Sequence, residues 1–205
     1  MAYITLKRIV LASIVFAGLQ ASIATGAVET GAEAPDFTLT DVQGNEHTLH
    51  DHLGSIIVLE WTNYDCPFVR KFYNPGVMQA MQSEMAEKGV IWLTICSSAP
   101  GTQGNFTQEV WKQRMEAWNV VAPVLLDESG DVGRAYGARV TPHMYVIDTE
   151  GRIAYQGAID SIRSVSPDDI EKAENYVKAA VHALLAGEDV ENTDTTPYGC
   201  TVKYE

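Results

Sequence analysis

The sequence predicts a three-layer α/β domain. Three observations carry the prediction. The run Ser55 to Trp61 is continuously apolar apart from Glu60, as a strand buried on both faces must be. Segments with helical spacing alternate with further strand-like runs. A β-hairpin signal and a last helix close the order. Parallel strands joined by helices need cover on both faces, which gives a sheet between helical layers.

The elements follow in chain order. Ala34-Pro35-Asp36-Phe37 leads into a short strand, Phe37 to Thr40, and Gln43-Gly44-Asn45 turns the chain into a second strand ending at Leu49. After the Ser55 to Trp61 strand, a helix is expected from Cys66-Pro67, because proline suits a first helical turn. Asn74-Pro75-Gly76 interrupts it. Val77 to Lys88 resumes the helix, with Met78, Met81 and Met85 as a core stripe. Val90 to Cys96 is the next strand, and Ser97 to Asn105 is a loop marked by Pro100, Gly101 and Gly104. Thr107 to Asn119 is helical, Pro123 to Leu126 a strand, and Val132 to Tyr136 a short helix closed by Gly137. Met144 to Ile147 and Arg152 to Gln156 pair across a Glu150-Gly151 turn. Ser166-Pro167-Asp168-Asp169 is expected to open a helix running to Ala186, with Gly187 ending it. The residues from Glu188 on read as a polar tail.

The chain has 205 residues, 46% hydrophobic and 20% charged, which suits one globular domain. Residues 1–27 read as an export signal: Lys7 and Arg8 precede an apolar run from Ile9 to Leu19, and small residues follow. That run is short for a bilayer span, so no stable membrane insertion is expected after cleavage. The expected organisation is a signal at 1–27, a domain at 28–190 and a tail at 191–205 that carries Cys200. The destination is the periplasm or the extracellular space. The net charge of −13 becomes about −15 once Lys7 and Arg8 are removed. No basic cluster offsets it, which argues against a nucleic-acid partner. The three cysteines, Cys66, Cys96 and Cys200, suggest one pair and one free thiol in an oxidising compartment.

Several segments together resemble one family. Val58-Leu59-Glu60-Trp61-Thr62-Asn63-Tyr64-Asp65-Cys66-Pro67-Phe68-Val69 is similar to the active-site segment of exported thioredoxin-like proteins of the redoxin, or alkyl hydroperoxide reductase and thiol-specific antioxidant, type. Val140-Thr141-Pro142 resembles the cis-proline loop of that fold. Ala34-Pro35-Asp36-Phe37-Thr38-Leu39, with Gly44 and Leu49, matches its N-terminal hairpin. The ending Pro197-Tyr198-Gly199-Cys200-Thr201-Val202-Lys203-Tyr204 resembles a branch with a single cysteine in the CxxC position. The resemblance spans residues 30 to 204 and implies a thioredoxin-like fold, with a central mixed sheet flanked by helices and an N-terminal β-hairpin. One departure matters: Val69 stands where the thioredoxin pattern has its second cysteine, so a dithiol cycle within one helix is not available.

Cys66 is the candidate nucleophile. It sits where a buried strand meets a helix start, and unpaired backbone N–H groups there favour a thiolate. Arg70 and Lys71 are expected to push the same way and Asp65 against. The bland alternative is an inert, half-buried thiol. Cys200 is the candidate resolving cysteine, on a mobile tail, or else one half of a structural disulfide to Cys66. Cys96 reads as a core residue. Glu60, six residues before Cys66, matches a thioredoxin position whose buried acid shuttles a proton; its alternative is a carboxylate satisfied by a lysine or a water. The resemblance implies a cis Thr141-Pro142 bond, with Thr141, Pro142 and Thr62 as candidate substrate-binding residues. His143 reads as a hydrogen-bonded histidine, and His47, His50 and His52 lack convincing metal-ligand spacing.

The leading expectation is therefore a thiol-dependent oxidoreductase, with no cofactor, acting with a thiol or disulfide redox partner protein or a small oxidant. A peroxiredoxin-like peroxidase is the nearest rival. Against it, Asn63 occupies the slot of the peroxidase threonine and Pro142 that of the peroxidase arginine. A non-catalytic binding or metal-assembly module is the second class, and fold alone does not exclude it.

Overall fold

The computed structural model describes residues 28–204. The export signal read at 1–27 lies outside the described residues. The chain opens with a hairpin, β1 (Thr38–Asp41) and β2 (Glu46–Thr48), in which Thr38 faces Thr48 and Thr40 faces Glu46. Asp41 shapes its turn by accepting from the backbone N–H of Gln43 at 2.8 Å and of Asn45 at 2.9 Å. β3 (Ile57–Trp61) follows, buried at every position. Next come α1 (Pro67–Tyr73) and α2 (Val77–Glu87), broken at Asn74-Pro75-Gly76, where Gly76 takes φ +80°. Met78, Met81 and Met85 form the buried face of α2.

β4 (Ile91–Cys96), α3 (Gln108–Trp118), β5 (Val124–Leu126) and α4 (Asp131–Tyr136) continue the alternation. A two-residue strand, β6 (Val140–Thr141), precedes the hairpin of β7 (His143–Ile147) and β8 (Ile153–Gly157). The last elements are α5 (Tyr176–Ala186) and β9 (Cys200–Thr201). The main sheet has seven strands in the order β2-β1-β5-β4-β3-β7-β8. β3, β4 and β5 run parallel, and β7 and β8 antiparallel, so the sheet is mixed. This is the expected α/β architecture.

Period-two alternation in β3 builds a core on each face. Ile57, Leu59 and Trp61 pack with Leu93, Ile95, Tyr145 and Tyr136 of α4 on one side. Val58 packs with Cys66, Tyr73, Met78, Trp111 and Val181, drawn from α1, α2, α3 and α5, on the other. Glu60 falls on this second side by alternation.

Two expectations need correction. The helix expected from Ser166 is only a short turn of 3-10 helix at Pro167–Asp169, and α5 starts ten residues later than Ser166, at Tyr176. The intervening backbone is taken by the end of the β8 region: Ser161 N–H donates to Glu174 O at 3.0 Å, and Tyr176 N–H donates to Ile159 O at 3.1 Å. A continuous helix would need those same groups. Asn175 caps α5 instead, its side chain accepting from Lys178 N–H at 2.9 Å. Asn175→Ala is expected to destabilise the fold by about 1 kcal/mol in urea unfolding. A neutral substitution would argue that α5 is not started there.

The second correction concerns the tail, which is docked rather than loose. Thr195 N–H donates to Gln156 O at 3.0 Å, Val202 N–H to Arg139 O at 3.0 Å, and Ala99 N–H to Lys203 O at 2.7 Å. Tyr198 and Val202 are buried. The Tyr204 hydroxyl donates to Ala138 O at 2.6 Å, and its ring lies against Gly133, where any Cβ would collide with it. Among the described residues, no helix is long and apolar enough to cross a membrane.

Candidate active site

Cys66 caps the start of α1. Its backbone is extended (φ −74°, ψ 124°), and Pro67 occupies the first helical turn, where a missing N–H leaves no bond unmade. The loop before it is set by Asn63. The Asn63 carbonyl accepts from Cys66 N–H at 2.9 Å, its side-chain oxygen accepts from Asp65 N–H at 2.9 Å, and its amide donates to Gln103 O at 3.1 Å. The residue in the peroxidase threonine slot is thus committed to loop geometry.

The Cys66 sulfur is 0% exposed and donates to the Thr141 carbonyl oxygen at 3.0 Å. The Thr141-Pro142 peptide is cis. Thr141 is also the residue directly opposite Cys200 in the antiparallel β6–β9 pair. All three elements therefore meet at one point: the cap of α1, the loop before β7, and the strand of the tail. Cys66, Cys96 and Cys200 are all free thiols here, so the pairing suggested by cysteine arithmetic is not formed. Burial, together with a hydrogen bond to the Cys66 thiol, pushes the Cys200 pKa up to about 12.

The charges around Cys66 differ from expectation. Lys71 is turned away from it and buried, donating to Asp160 Oδ2 at 2.8 Å and to Ile162 O at 3.2 Å. Arg70 donates to Tyr64 O and, at 3.1 Å, to Asp65. Arg114 reaches the same Asp65 oxygen at 2.7 Å. Two guanidinium groups thus balance the one carboxylate beside Cys66, at a partly exposed position where solvent screening keeps each pair modest.

Glu60 is 0% exposed and has no lysine partner. Its carboxylate accepts from Tyr73 Oη at 3.0 Å, Trp92 Nε1 at 3.1 Å and Gln82 Nε2 at 3.3 Å. Burial raises its pKa from 4.5 to about 7, against the opposing pull of these donors. The group is a buried acid that titrates near neutrality. Thr62 lies one residue past β3, 1% exposed, with its hydroxyl unpartnered.

The remaining candidates are structural. Cys96 is buried, donates weakly to Gly104 O at 3.5 Å, and has its pKa raised by burial. His143 is buried in β7, and its Nδ1 accepts from Arg139 N–H at 3.3 Å. Burial, aided by the Arg139 charge, lowers its pKa to about 3, so it is neutral at pH 7. His47 pairs with Asp41 at 3.0 Å and stacks with His52 at 6.3 Å. Among the described residues, no group of three or more histidine, cysteine or acidic side chains is placed to hold a metal.

Sequence reasoning missed the anchor of the tail. Asp160 accepts from Lys71 on one oxygen and from the Tyr198 hydroxyl on the other. Tyr198 also packs edge-on against Phe68 of α1 at 5.7 Å. A signal was present: Tyr198, Cys200, Val202 and Tyr204 alternate with Gly199, Thr201 and Lys203, the period of a strand with one buried face.

Comparison with known proteins agrees with this fold. The chain is 28% identical over 128 residues to the thiol-disulfide oxidoreductase ResA of Geobacillus thermodenitrificans, covering 62% of this chain and 68% of that one. A hypothetical protein of Sinorhizobium meliloti superposes with a TM-score of 0.74 at 28% identity, over 88% of this chain and 97% of its own. The thioredoxin domain of a thiol-disulfide oxidoreductase from Bacteroides vulgatus gives a TM-score of 0.51 at 23% identity, over 71% and 98% of the two chains, and so shares the fold. Residues 30–156 match the profile of the AhpC/TSA family, and with its thioredoxin-like fold the chain belongs to that redoxin family.

Proposed function

We propose that this protein is a thiol-disulfide oxidoreductase in which Cys66 attacks and Cys200 resolves. The observation that supports this most is the β6–β9 pair, which sets Cys200 against Thr141, the residue whose carbonyl holds the Cys66 thiol. The Cys66 thiolate attacks one sulfur of a substrate disulfide. A Cys66–substrate disulfide forms, the substrate S–S bond breaks, and the leaving thiolate takes up a proton. Cys200 then loses its proton and attacks the Cys66 sulfur, closing a Cys66–Cys200 disulfide and releasing the second substrate thiol. Two electrons pass from the protein thiols to the substrate. An external dithiol, carried by a redox partner protein or a small molecule, reverses the oxidation.

The high pKa of Cys200 gives these steps an order. Besides burial, its causes are the hydrogen bond and charge of Cys66. When Cys66 is consumed in a mixed disulfide, that part of the effect disappears and Cys200 ionises more readily. Glu60, titrating near pH 7, is the group suited to hold or release the proton on the same side of the sheet. The leader pattern at 1–27 supports action in the periplasm or outside the cell.

The test is thiol trapping with mass mapping after challenge by a small disulfide. Cys200→Ser is expected to accumulate a mixed disulfide on Cys66, whereas the unmodified chain passes to a Cys66–Cys200 link that a dithiol reverses. An unlabelled Cys66 in both proteins would leave a binding module as the better reading.

A further inference from the structure

We infer that residues 196–204 are a resident competitor for the edge at which a substrate polypeptide docks, and that the substrate carries a glycine before its reactive cysteine. This rests on the oxidoreductase reading above and adds its substrate class and its control.

The backbone of Val140 and Thr141 is an extended edge directly over Cys66. Such an edge recruits an extended peptide through main-chain hydrogen bonds. Here it is already filled: Val140 faces Thr201 and Thr141 faces Cys200, antiparallel. With the strand in place, the Cys66 sulfur is fully buried. A disulfide on another molecule reaches that sulfur only when β9 lifts away. The chain itself shows what fits. A cysteine stands opposite Thr141, and the residue before it, Gly199, lies so close that a Cβ would overlap the Thr141 carbonyl oxygen. Gly199 also has φ +153°, a backbone angle that other residues rarely take. A docked polypeptide meets the same backbone and the same restriction.

The competition also links the two half-reactions. A substrate held on the edge excludes β9. When β9 returns, it brings Cys200 to the mixed disulfide and displaces the spent substrate from the same hydrogen bonds. Release is held in check by Tyr198, whose hydroxyl donates to Asp160, itself paired with Lys71 of α1.

The test measures alkylation of Cys66 by iodoacetamide, mapped by mass, in the full chain. Gly199→Ala should expel β9 and speed labelling at least about tenfold. Tyr198→Phe, which keeps the glycine and the strand, should speed it by a smaller factor, on the order of fivefold. A synthetic peptide of residues 196–204 carrying Cys200→Ser should slow labelling of the Gly199→Ala protein back toward the wild-type rate. The same peptide with Gly199→Ala added should not. Equal labelling of the wild type and both variants, with disulfide turnover intact, overturns the competitor and leaves the oxidoreductase reading standing. Faster labelling in the variants with no turnover in any protein supports the competitor and removes the redox role.

Discussion

Lys71→Met is expected to destabilise the protein by about 3–5 kcal/mol in urea unfolding. The ammonium is 0% exposed and Asp160 is 2% exposed, so neither charge has water to fall back on. The pair is held at 2.8 Å, with further hydrogen bonds from the Tyr198 hydroxyl and from Ile162 N–H to the other Asp160 oxygen. Removing the ammonium leaves a buried carboxylate with neutral donors only, which is where the cost arises. Adding Asp160→Asn to Lys71→Met removes the orphaned charge and should recover a measurable part of the loss. Additive losses in the double variant would show that the two groups act independently, contrary to their contact. The pair joins α1, which carries Cys66 at its start, to the segment that anchors Tyr198.

Glu60→Gln is expected to flatten the dependence of stability on pH. In the unfolded chain this carboxyl titrates near 4.5, and in the folded chain near 7. Between those values the folded state keeps a proton that the unfolded state has lost. Stability therefore falls as pH rises through that window, by about 3 kcal/mol in total. Below it the group is neutral in both states and contributes no slope; above it the penalty for a buried anion is complete. Glutamine has nothing to titrate, so the variant should lose this slope and gain on the wild type at pH 8. Urea midpoints at pH 4, 6 and 8 measure it. Thiol exchange in the same variant should slow on the order of a hundredfold near pH 7. An exchange rate with the wild-type pH profile would remove Glu60 from the chemistry while leaving its effect on stability.

The fold was legible where hydrophobic pattern and local chemistry agree. The run into β3, the methionine face of α2, and the proline after Cys66 each point to one conformation, and each forms it. The segment after Ser166 misled because its capping residues and helix-forming composition are local, whereas Ser161 and Ile159 claim its backbone from the neighbouring strand. Cys66, Thr141, Pro142 and Cys200 meet as a group, and their order along the chain carried that information. What the sequence left out was direction. Lys71 reads as a cation for Cys66 until a carboxylate 89 residues away takes it. Glu60 reads as a buried acid, but nothing local says that Trp92, Tyr73 and Gln82 are the groups that close around it. Such long-range pairings leave no periodic trace.

The path of the last residues has a consequence for how copies of this chain meet one another. β8 is the outermost strand on its side, and its free hydrogen-bonding groups would invite another molecule's strand. Gly31 and Ala32 cover one end of it at Ile153, and Thr193 and Thr195 cover the other at Gln156. The polypeptide that crosses Cys66 therefore also blocks edge-to-edge association. Proteolytic loss of residues 193–204 should both uncover the thiol and leave a sticky, aggregation-prone border.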